Sequence, residues 1–369
     1  MDSSIEQQIK DIEDEIFNTQ KNKATEHHIG KLKAKIARLK DEAEKRKKTG
    51  AKGKGFSIKK SGDATVGIIG LPNIGKSTLL NQLTGASSKI GDYDFTTLDA
   101  IPGIMKYKGA EIQLLDLPGL IEGASKGKGR GKEILSAIRN VDLLLIMIDV
   151  NHLQHLELIQ TELFSAGLRL NQKKPDVVVT TKGQGGISIN STIKPTHLNE
   201  NIIKSIASEF VINADILIRE DITEDQLIDS FSQNRVYVPA IVVINKKDLV
   251  NKETLDETIK KIEMNGWYVI TISAKFYDGL DKLREDMFSH LKLIRVYMKP
   301  VGKQTDYGEP LILKENDAVE DACRKLHRDF HRKFRYATVS GPSAKHDMQK
   351  VGLEHKLKDE DVLTIVVWR

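Results

Sequence analysis

The stretch that decides the fold is Gly70-Leu71-Pro72-Asn73-Ile74-Gly75-Lys76-Ser77. It follows Ala64 to Ile69, a short apolar run rich in β-branched residues, which predicts a buried strand. The apolar start of a helix, Thr78-Leu79-Leu80, comes directly after it. A G-x-x-x-x-G-K-S pattern between a strand and a helix is typical of a loop that wraps around phosphate groups. A glycine-rich turn with only a structural role is the alternative, and the flanking strand and helix disfavour it.

Each part of this loop can serve a nucleotide. The glycines let the backbone approach a phosphate, and successive N–H groups at the helix N-terminus direct positive partial charge toward it. Lys76 can reach the β- and γ-phosphates, and the Ser77 hydroxyl can ligate Mg²⁺. The residues expected to contact the nucleotide here are Gly70, Pro72, Asn73, Ile74, Gly75, Lys76, Ser77 and Thr78.

A second set of polar residues follows the predicted strand at 111–115. This strand ends in Asp116-Leu117-Pro118-Gly119. An aspartate at a strand end can hold Mg²⁺ through water, and the following glycine can offer its N–H to the γ-phosphate. The sequence therefore predicts Asp116, Pro118 and Gly119 in the site, with Asp116 beside the metal.

Two later strands end in patterns suited to a guanine base. Residues 240–244 run into Asn245-Lys246-Lys247-Asp248, and residues 268–272 run into Ser273-Ala274-Lys275. The Asp248 carboxylate can accept two hydrogen bonds from the N1–H and amino groups of guanine, for which adenine has no matching donors. Each short pattern alone is usually an ordinary turn. All of them occur in order at the carboxyl ends of predicted strands, where an open α/β sheet binds its ligands.

Together these motifs resemble a translation-factor-class GTPase, and more closely the Obg-related, developmentally regulated GTP-binding protein family. The resemblance spans nearly the whole chain. It rests on Tyr93-Asp94-Phe95-Thr96-Thr97-Leu98, on Asp116-Leu117-Pro118-Gly119-Leu120-Ile121-Glu122-Gly123-Ala124, and on Gly127-Lys128-Gly129-Arg130-Gly131. Matching segments also lie at 20–25 and 359–367. The resemblance implies GTP and GDP as ligands and Mg²⁺ as cofactor.

The resemblance also assigns a first switch segment at 93–98. It implies that Phe95, Thr96 and Thr97 contact the nucleotide and that Thr97 ligates both Mg²⁺ and the γ-phosphate. The metal ligands expected are thus Ser77, Thr97 and Asp116. From the residues alone, a Thr-Thr pair in a loop is usually structural, so only the resemblance supports this role.

The catalytic group expected for hydrolysis consists of Lys76, Thr97, Gly119 and Asn73. Many GTPases place a glutamine after the D-x-x-G glycine to orient the attacking water, whereas this chain has Leu120 there. Slow intrinsic turnover is therefore expected. In potassium-activated GTPases an asparagine at the position of Asn73 ligates a monovalent cation, which predicts stimulation by potassium. The alternative is that Asn73 only stabilises the turn after Pro72. Arg130 could act as an arginine finger, although contact with phosphate or a partner is the commoner role.

The predicted fold class is α/β, a P-loop GTPase domain with three additions. Narrow apolar stripes predict an N-terminal helical hairpin over 1–48, followed by a basic linker over 49–62. The composition of residues 47–55 is typical of a flexible basic segment. The GTPase domain covers 63–164 and 236–294. A small α/β domain is inserted at 165–235, because a crossover of this length exceeds one helix. Residues 295–369 form a β-grasp domain. The family implies an S5-domain-2-like fold for the insert and a TGS domain at the C-terminus.

Charge is distributed unevenly along the chain. The net charge is −5 over residues 1–20, +11 over 21–60 and −1 over the remainder. A second basic surface is predicted on a single helix over 318–334 together with the residue that follows it. Its basic side chains are Arg324, Lys325, Arg328, Arg332, Lys333 and Arg335. Both segments predict contact with RNA or the ribosome. The alternative for each is a solvated basic surface. His327 and His331 on the same helix could hold a metal, although a solvated face is the default.

Composition excludes several classes of protein. With 39% hydrophobic and 30% charged residues, the chain is neither collagen-like nor mostly disordered. Its longest apolar run, residues 143–148, is far shorter than the roughly 20 residues that cross a bilayer. The lone Cys323 allows no internal disulfide. These features predict a cytoplasmic protein without a membrane partner.

The function predicted from the sequence is a Mg²⁺-dependent GTPase that acts as a conformational switch at the ribosome or on RNA in translation. A regulatory partner protein is compatible with this function, and no DNA specificity is expected. The competing hypothesis is an RNA or ribosome adaptor in which GTP is mainly structural. A membrane-associated signalling GTPase is disfavoured, because lipidation motifs are absent.

Overall fold

The computed structural model describes residues 2–20, 22, 25–50, 61–84, 101–117, 137–150, 152–232 and 234–368. The chain divides into two compact units. The small unit contains residues 1–55 and 167–237, and the large unit contains residues 56–166 and 238–369. Mixed α/β sheets build both units, as the sequence predicts.

The described elements are named here in chain order. The helices are α1 (Asp2–Asn18), α2 (Glu26–Gly50), α3 (Lys76–Thr84), α4 (Gln154–Ser165), α5 (Glu200–Ser208), α6 (Glu224–Phe231), α7 (Lys252–Met264), α8 (Leu280–His290), α9 (Val319–Leu326) and α10 (Arg328–Arg332). The strands are β1 (Ala64–Ile69), β2 (Ile101–Tyr107), β3 (Ala110–Asp116), β4 (Leu143–Asp149), β5 (Leu168–Leu170), β6 (Val177–Thr181), β7 (Ile187–Ser191), β8 (Ala214–Ile218), β9 (Val236–Val238), β10 (Ala240–Asn245), β11 (Val269–Thr271), β12 (Leu293–Met298), β13 (Asp306–Lys314), β14 (Phe334–Ser340), β15 (Gln349–Val351) and β16 (Asp361–Val367).

A six-stranded sheet in the order β11-β10-β4-β1-β3-β2 forms the centre of the large unit. Every residue of β1 is buried, as expected of a strand covered on both faces. The predicted parallel pairing of β4 with β10 is confirmed, although the two strands are far apart in sequence. The strand β2, which pairs antiparallel with β3 at the sheet edge, was not predicted from the sequence. Pro102 and Gly103 weaken the strand pattern of this segment in the sequence. Proline is nevertheless tolerated here, because β2 is an edge strand.

The small unit combines the helical hairpin with the inserted α/β segment. Its three-stranded sheet has the order β6-β8-β7, and α5 and α6 match the helices predicted near 198–210 and 223–232. Ala34 and Ala37 of α2 lie in the same core as residues of α5, α6 and β8. The helix α2 continues to Gly50, so the first residues of the predicted flexible linker are helical. The rest of that linker lies largely outside the described residues.

The C-terminal part of the large unit is a five-stranded sheet in the order β13-β12-β16-β14-β15. Val319, Ala322 and Cys323 of α9 pack in its core. The single helix predicted over 318–334 is wrong, because it divides into α9 and α10 at His327. His327 is extended, with φ −169° and ψ 146°, and its ring accepts a hydrogen bond from the Asp329 amide as a helix cap.

This C-terminal sheet packs against the main sheet of the large unit. Ile312 of β13 belongs to the main apolar core. Lys314 Nζ lies 2.9 Å from Asp142 Oδ1, and Lys325 Nζ lies 2.7 Å from Asp63 Oδ1. Because both aspartates directly precede the parallel strands β1 and β4, these contacts lie at the amino-terminal edge of the main sheet. Deleting the C-terminal region would therefore expose core residues, so its function is better tested by substitution.

A buried ion cluster lies in the small unit, beside β5 and the residue that precedes β9. Asp229 of α6 accepts hydrogen bonds from Arg169 Nε at 2.5 Å and Arg169 Nη2 at 2.7 Å, and from Arg235 Nε at 2.7 Å. The side chains of Arg169, Asp229 and Arg235 are only 4%, 3% and 10% exposed. One carboxylate thus neutralises part of two buried positive charges.

Substitution of Asp229 by asparagine is expected to destabilise the small unit by about 3–5 kcal/mol, because it removes the charge that faces both guanidinium groups. Both tryptophans, Trp267 and Trp368, lie in the large unit, so fluorescence would not report this loss. Hydrogen exchange of the amides in α6 measures it directly. Asp176→Asn removes an exposed Arg219 pair as the control and should cost less than about 1 kcal/mol. Equal protection of α6 in the two variants would contradict the expectation.

Candidate functional site

The motifs from the sequence meet at the carboxyl edge of the main sheet. In the parallel register Ile68 lies beside Asp116, and Asn245 lies beside Asp149. The loop from Gly70 to Gly75 leaves β1 at this same edge. Strands of one direction thus bring residues from distant parts of the sequence to one place, as the ligand edge of an open α/β sheet requires.

Two glycines of the loop are required by their surroundings. Gly70 has φ +156°, and a Cβ atom there would lie 2.5 Å from the Met147 carbonyl oxygen. Gly75 has φ +98°, and a Cβ atom there would collide with Nδ2 of Asn245. A side chain at either position would therefore displace the loop from the neighbouring strands, which explains both glycines of the motif.

The Lys76 ammonium lies under this loop. It donates hydrogen bonds to the carbonyl oxygens of Gly70 and Leu71, each at 3.0 Å. The residue is 9% exposed. Burial lowers the pKa of Lys76 below its ordinary value, and the negative charge of Asp116 partly opposes this shift. The loop therefore holds a poorly solvated cation where a phosphate would be bound.

Ser77 and Asp116, two of the predicted metal ligands, are in direct contact. Ser77 Oγ donates to Asp116 Oδ2 at 2.8 Å. The other carboxylate oxygen, Asp116 Oδ1, is buried and has no hydrogen-bond partner among the described residues. An unsatisfied buried carboxylate oxygen beside a hydroxyl fits a Mg²⁺ ion, which prefers oxygen ligands. The described residues contain no cluster of three His, Cys, Asp or Glu side chains suited to a metal, so phosphate oxygens and water would complete the ligand set.

Asn245 joins the loop after β1 to the loop after β11. Its Nδ2 donates to the Ile74 carbonyl at 2.8 Å, and its Oδ1 accepts from the Ala274 amide at 3.0 Å. Asp248 Oδ1 accepts a hydrogen bond of 2.5 Å from the Ser273 hydroxyl. The predicted residues Ile74, Asn245, Asp248, Ser273 and Ala274 therefore form one connected arrangement.

Two ion pairs at this edge were not found by the sequence analysis. Lys246, held at φ +63°, lies 3.2 Å from Asp149, and Lys247 lies 2.8 Å from Asp278. Each links the loop after β10 to a neighbouring loop. The signal available in the sequence was the position of Asp149 at the end of β4, where it could have been assigned to the same edge. Asp278 follows no strand and gave no such signal.

Comparison with known proteins agrees with this geometry. A family model described as "50S ribosome-binding GTPase" matches residues 65–182, its C-terminal extension matches 184–293, and a TGS domain model matches 294–367. A GTP-binding protein of Methanocaldococcus jannaschii is 51% identical over 99% of this chain and 93% of its own length. Developmentally-regulated GTP-binding protein 1 of Xenopus laevis is 45% identical over 97% and 98%.

This chain belongs to the developmentally regulated GTP-binding protein family. Its large unit thus contains a P-loop GTPase domain and a C-terminal TGS domain, which confirms the predicted fold class. Among solved structures, the YchF GTPase of Schizosaccharomyces pombe aligns with a TM-score of 0.49 at 16% identity, covering 84% of this chain and 99% of that one.

The remaining predicted residues of the GTPase site are partly described. Pro72, Asn73, Thr78 and Lys275 are exposed at the site edge, and Lys275 Nζ lies 5.1 Å from the Phe276 ring centroid. Asn73 has φ +61°, and its side-chain amide makes no hydrogen bond within the described part of the chain. Five residues predicted to contact the nucleotide lie outside the described residues, namely Phe95, Thr96, Thr97, Pro118 and Gly119. Leu120 and Arg130 lie outside them as well.

Proposed function

We propose that this protein is a Mg²⁺-dependent GTPase that hydrolyses GTP to GDP and phosphate and acts as a conformational switch at the ribosome or on RNA in translation. The observation that supports it best is the link made by Asn245 between Ile74 and Ala274. This link joins a loop suited to phosphates to a loop suited to guanine. The site can thus bind both ends of one nucleotide.

Mg²⁺ would be held by Ser77 and Asp116, with Thr97 as the third protein ligand that the family implies. The ion would supply positive charge to the β- and γ-phosphate oxygens. When the γ-phosphate leaves, Thr97 and Gly119 lose their ligand, which is the usual origin of a GTPase switch. Turnover measured with GTP or ATP, in Mg²⁺ or EDTA, tests the enzymatic part. Comparable ATP hydrolysis, or full activity in EDTA, would contradict it.

Contact with the ribosome or rRNA is supported by charge and by the TGS domain. The net charge of +11 over residues 21–60 and the exposed basic side chains after α9 offer positive surface to phosphates. No helix in the described part of the chain is long and apolar enough to span a membrane. We place the protein in the cytoplasm, with a regulatory protein as a compatible further partner and no DNA specificity.

The adaptor alternative predicts that ribosomes leave GTP turnover unchanged. A switch that works on the ribosome should instead hydrolyse GTP faster when translating ribosomes are added, because the slow intrinsic rate expected from Leu120 leaves hydrolysis open to stimulation. Unchanged turnover at saturating ribosomes, together with GTP-dependent folding, would favour the adaptor.

Potassium should accelerate hydrolysis relative to sodium, through the amide of Asn73. Asn73 has a left-handed backbone conformation, which asparagine tolerates better than alanine does. Alanine at this position would therefore add backbone strain as well as remove the side-chain amide. Asn73→Gly removes the amide and keeps the left-handed conformation accessible. Losing one electrostatic contact of this kind typically costs on the order of 10²–10³ in rate.

Single-turnover hydrolysis in potassium and sodium chloride at equal ionic strength measures this effect. Equal wild-type rates in the two salts would mean that no potassium site exists. A potassium effect that survives intact in Asn73→Gly would show that another group is the ligand, and would leave Asn73 with its turn role alone.

A further inference from the structure

Four side chains at one end of the TGS sheet form an alternating series of cations and aromatic rings. Lys350 Nζ lies 4.4 Å from the ring centroid of Tyr336. The guanidinium carbon of Arg335 lies 5.7 Å from the same ring and 4.5 Å from the ring of Trp368. We call Lys350, Tyr336, Arg335 and Trp368 the cation–aromatic series.

The series lies on the outward face of the sheet. Ala337 and Val339 of β14 are buried in the core under α9, so the alternate residue Tyr336 points away from it. Lys350 pairs with Thr338 in the register and is exposed. The β14–β16 pairing is irregular between Phe334 and Tyr336, which lets Arg335 lie between the two rings. Trp368 is 59% exposed, and its amide donates to the Lys333 carbonyl at 2.7 Å.

The cations of the series are available to an external ligand. Within the described residues no carboxylate forms an ion pair with Arg335, Lys350 or the neighbouring Lys333. In the basic surface predicted from the sequence, only some of the cations lack an ion-pair partner among the described residues. Arg324 is paired with Glu320, and Lys325 is paired with Asp63. Arg328 and Arg332 are exposed and likewise form no ion pair with a described residue, so the series is one part of a larger basic surface. It is the part where an exposed ring, that of Trp368, accompanies the charge.

We propose that the cation–aromatic series is a binding site for single-stranded RNA. Bases would stack on Trp368 and Tyr336, and backbone phosphates would contact Arg335 and Lys350. Aromatic rings interleaved with basic side chains are the usual means of binding single strands, because every base has a face that can stack. An acidic peptide would satisfy the two cations but would leave the exposed Trp368 ring without a partner. This inference rests on the RNA contact in the proposed function and assigns that contact to specific residues.

The test uses the full-length protein and a fluorescein-labelled RNA of about 12 nucleotides without self-complementarity. Trp368→Ala should weaken binding by about tenfold or more and leave the salt dependence unchanged, whereas Trp368→Phe should retain most of the affinity. The double variant Arg335→Gln with Lys350→Gln should reduce the slope of log affinity against log salt by about 1.4, because each phosphate contact contributes about 0.7. Lys303→Gln with Lys345→Gln is the control, since it removes the same charge from exposed TGS positions outside the series.

RNA binding by the wild type tests the RNA contact, and the behaviour of the variants tests its assignment to the series. Absence of RNA binding by the wild type would overturn the RNA contact itself. Wild-type binding that all variants retain would overturn only the series. A loss confined to the double variant, with tight binding of a polyglutamate peptide, would overturn stacking and indicate an acidic peptide as the ligand. The expected pattern is a loss of affinity in Trp368→Ala, a flatter salt dependence in the double variant, and neither change in the control.

Discussion

Lys76→Ala should reduce GTP hydrolysis by on the order of 10²–10³-fold or more, because it removes the one buried cation that the loop holds at the phosphate position. Among the described residues its ammonium donates hydrogen bonds to two backbone carbonyl oxygens of that loop, those of Gly70 and Leu71. Those bonds could be exchanged for ion pairs with phosphate oxygens, because a negatively charged oxygen attracts an ammonium group more strongly than a neutral carbonyl oxygen does. Single-turnover hydrolysis of GTP is the measurement.

Lys108→Ala is the matched control for this substitution. Lys108 lies in the turn between β2 and β3, at the amino-terminal edge of β3, and pairs with Glu285. Its removal also deletes one lysine from the large unit but leaves the carboxyl edge unchanged. Hydrolysis by the control should match the wild type. If Lys76→Ala also turned over GTP at the wild-type rate, the loop after β1 would not be the catalytic cradle.

Asp248→Asn should transfer base preference from guanine to xanthine. The carboxylate, which accepts a bond from Ser273 at one oxygen, becomes an amide that can donate to the extra carbonyl of xanthine. A site that recognises its ligand by hydrogen bonds discriminates strongly, so the GTP-to-XTP affinity ratio should fall by up to about 10⁴-fold. Competition between GTP and XTP for the same labelled nucleotide measures this ratio directly.

Asp278→Asn gives the corresponding control. It removes a nearby carboxylate that pairs with Lys247 and therefore supports the loop rather than the base. Affinity for GTP and XTP should fall together, with their ratio unchanged. A ratio that changed in Asp278→Asn but not in Asp248→Asn would show that Asp278, and not Asp248, recognises the base.

The sequence was sufficient to predict which residues meet at the carboxyl edge of the main sheet wherever a motif follows a strand. Burial on both faces makes β1, β4 and β10 continuous apolar runs, which are visible without a structure. The parallel direction of the strands then implies that Gly70, Asp116 and Asn245 meet at one edge. The hydrogen bonds of Asn245 follow from this topology, although their partners could only be named once the loops were described.

Features set by tertiary packing could not be predicted in the same way. The interruption of the C-terminal helix at His327 depends on one ring accepting an amide hydrogen bond, and no periodicity reveals it. The buried pair of Arg169 with Asp229 looks like surface charge in the sequence, because its partners are 60 residues apart. The packing of Ile312 into the main core is equally invisible, since β13 belongs to another sheet. In each case the decisive contact joins segments that have no local pattern in common.

The most direct test of the central claim is cosedimentation of the full-length protein with ribosomes in GTP, in GDP and in a non-hydrolysable GTP analogue. A GTPase whose state is detected by the ribosome should pellet more strongly with the analogue than with GDP, because only the γ-phosphate distinguishes the two bound forms. We expect that difference for the wild type and its loss in Lys76→Ala. Equal pelleting of the wild type in all three nucleotides would contradict the claim that this protein is a nucleotide-dependent switch at the ribosome.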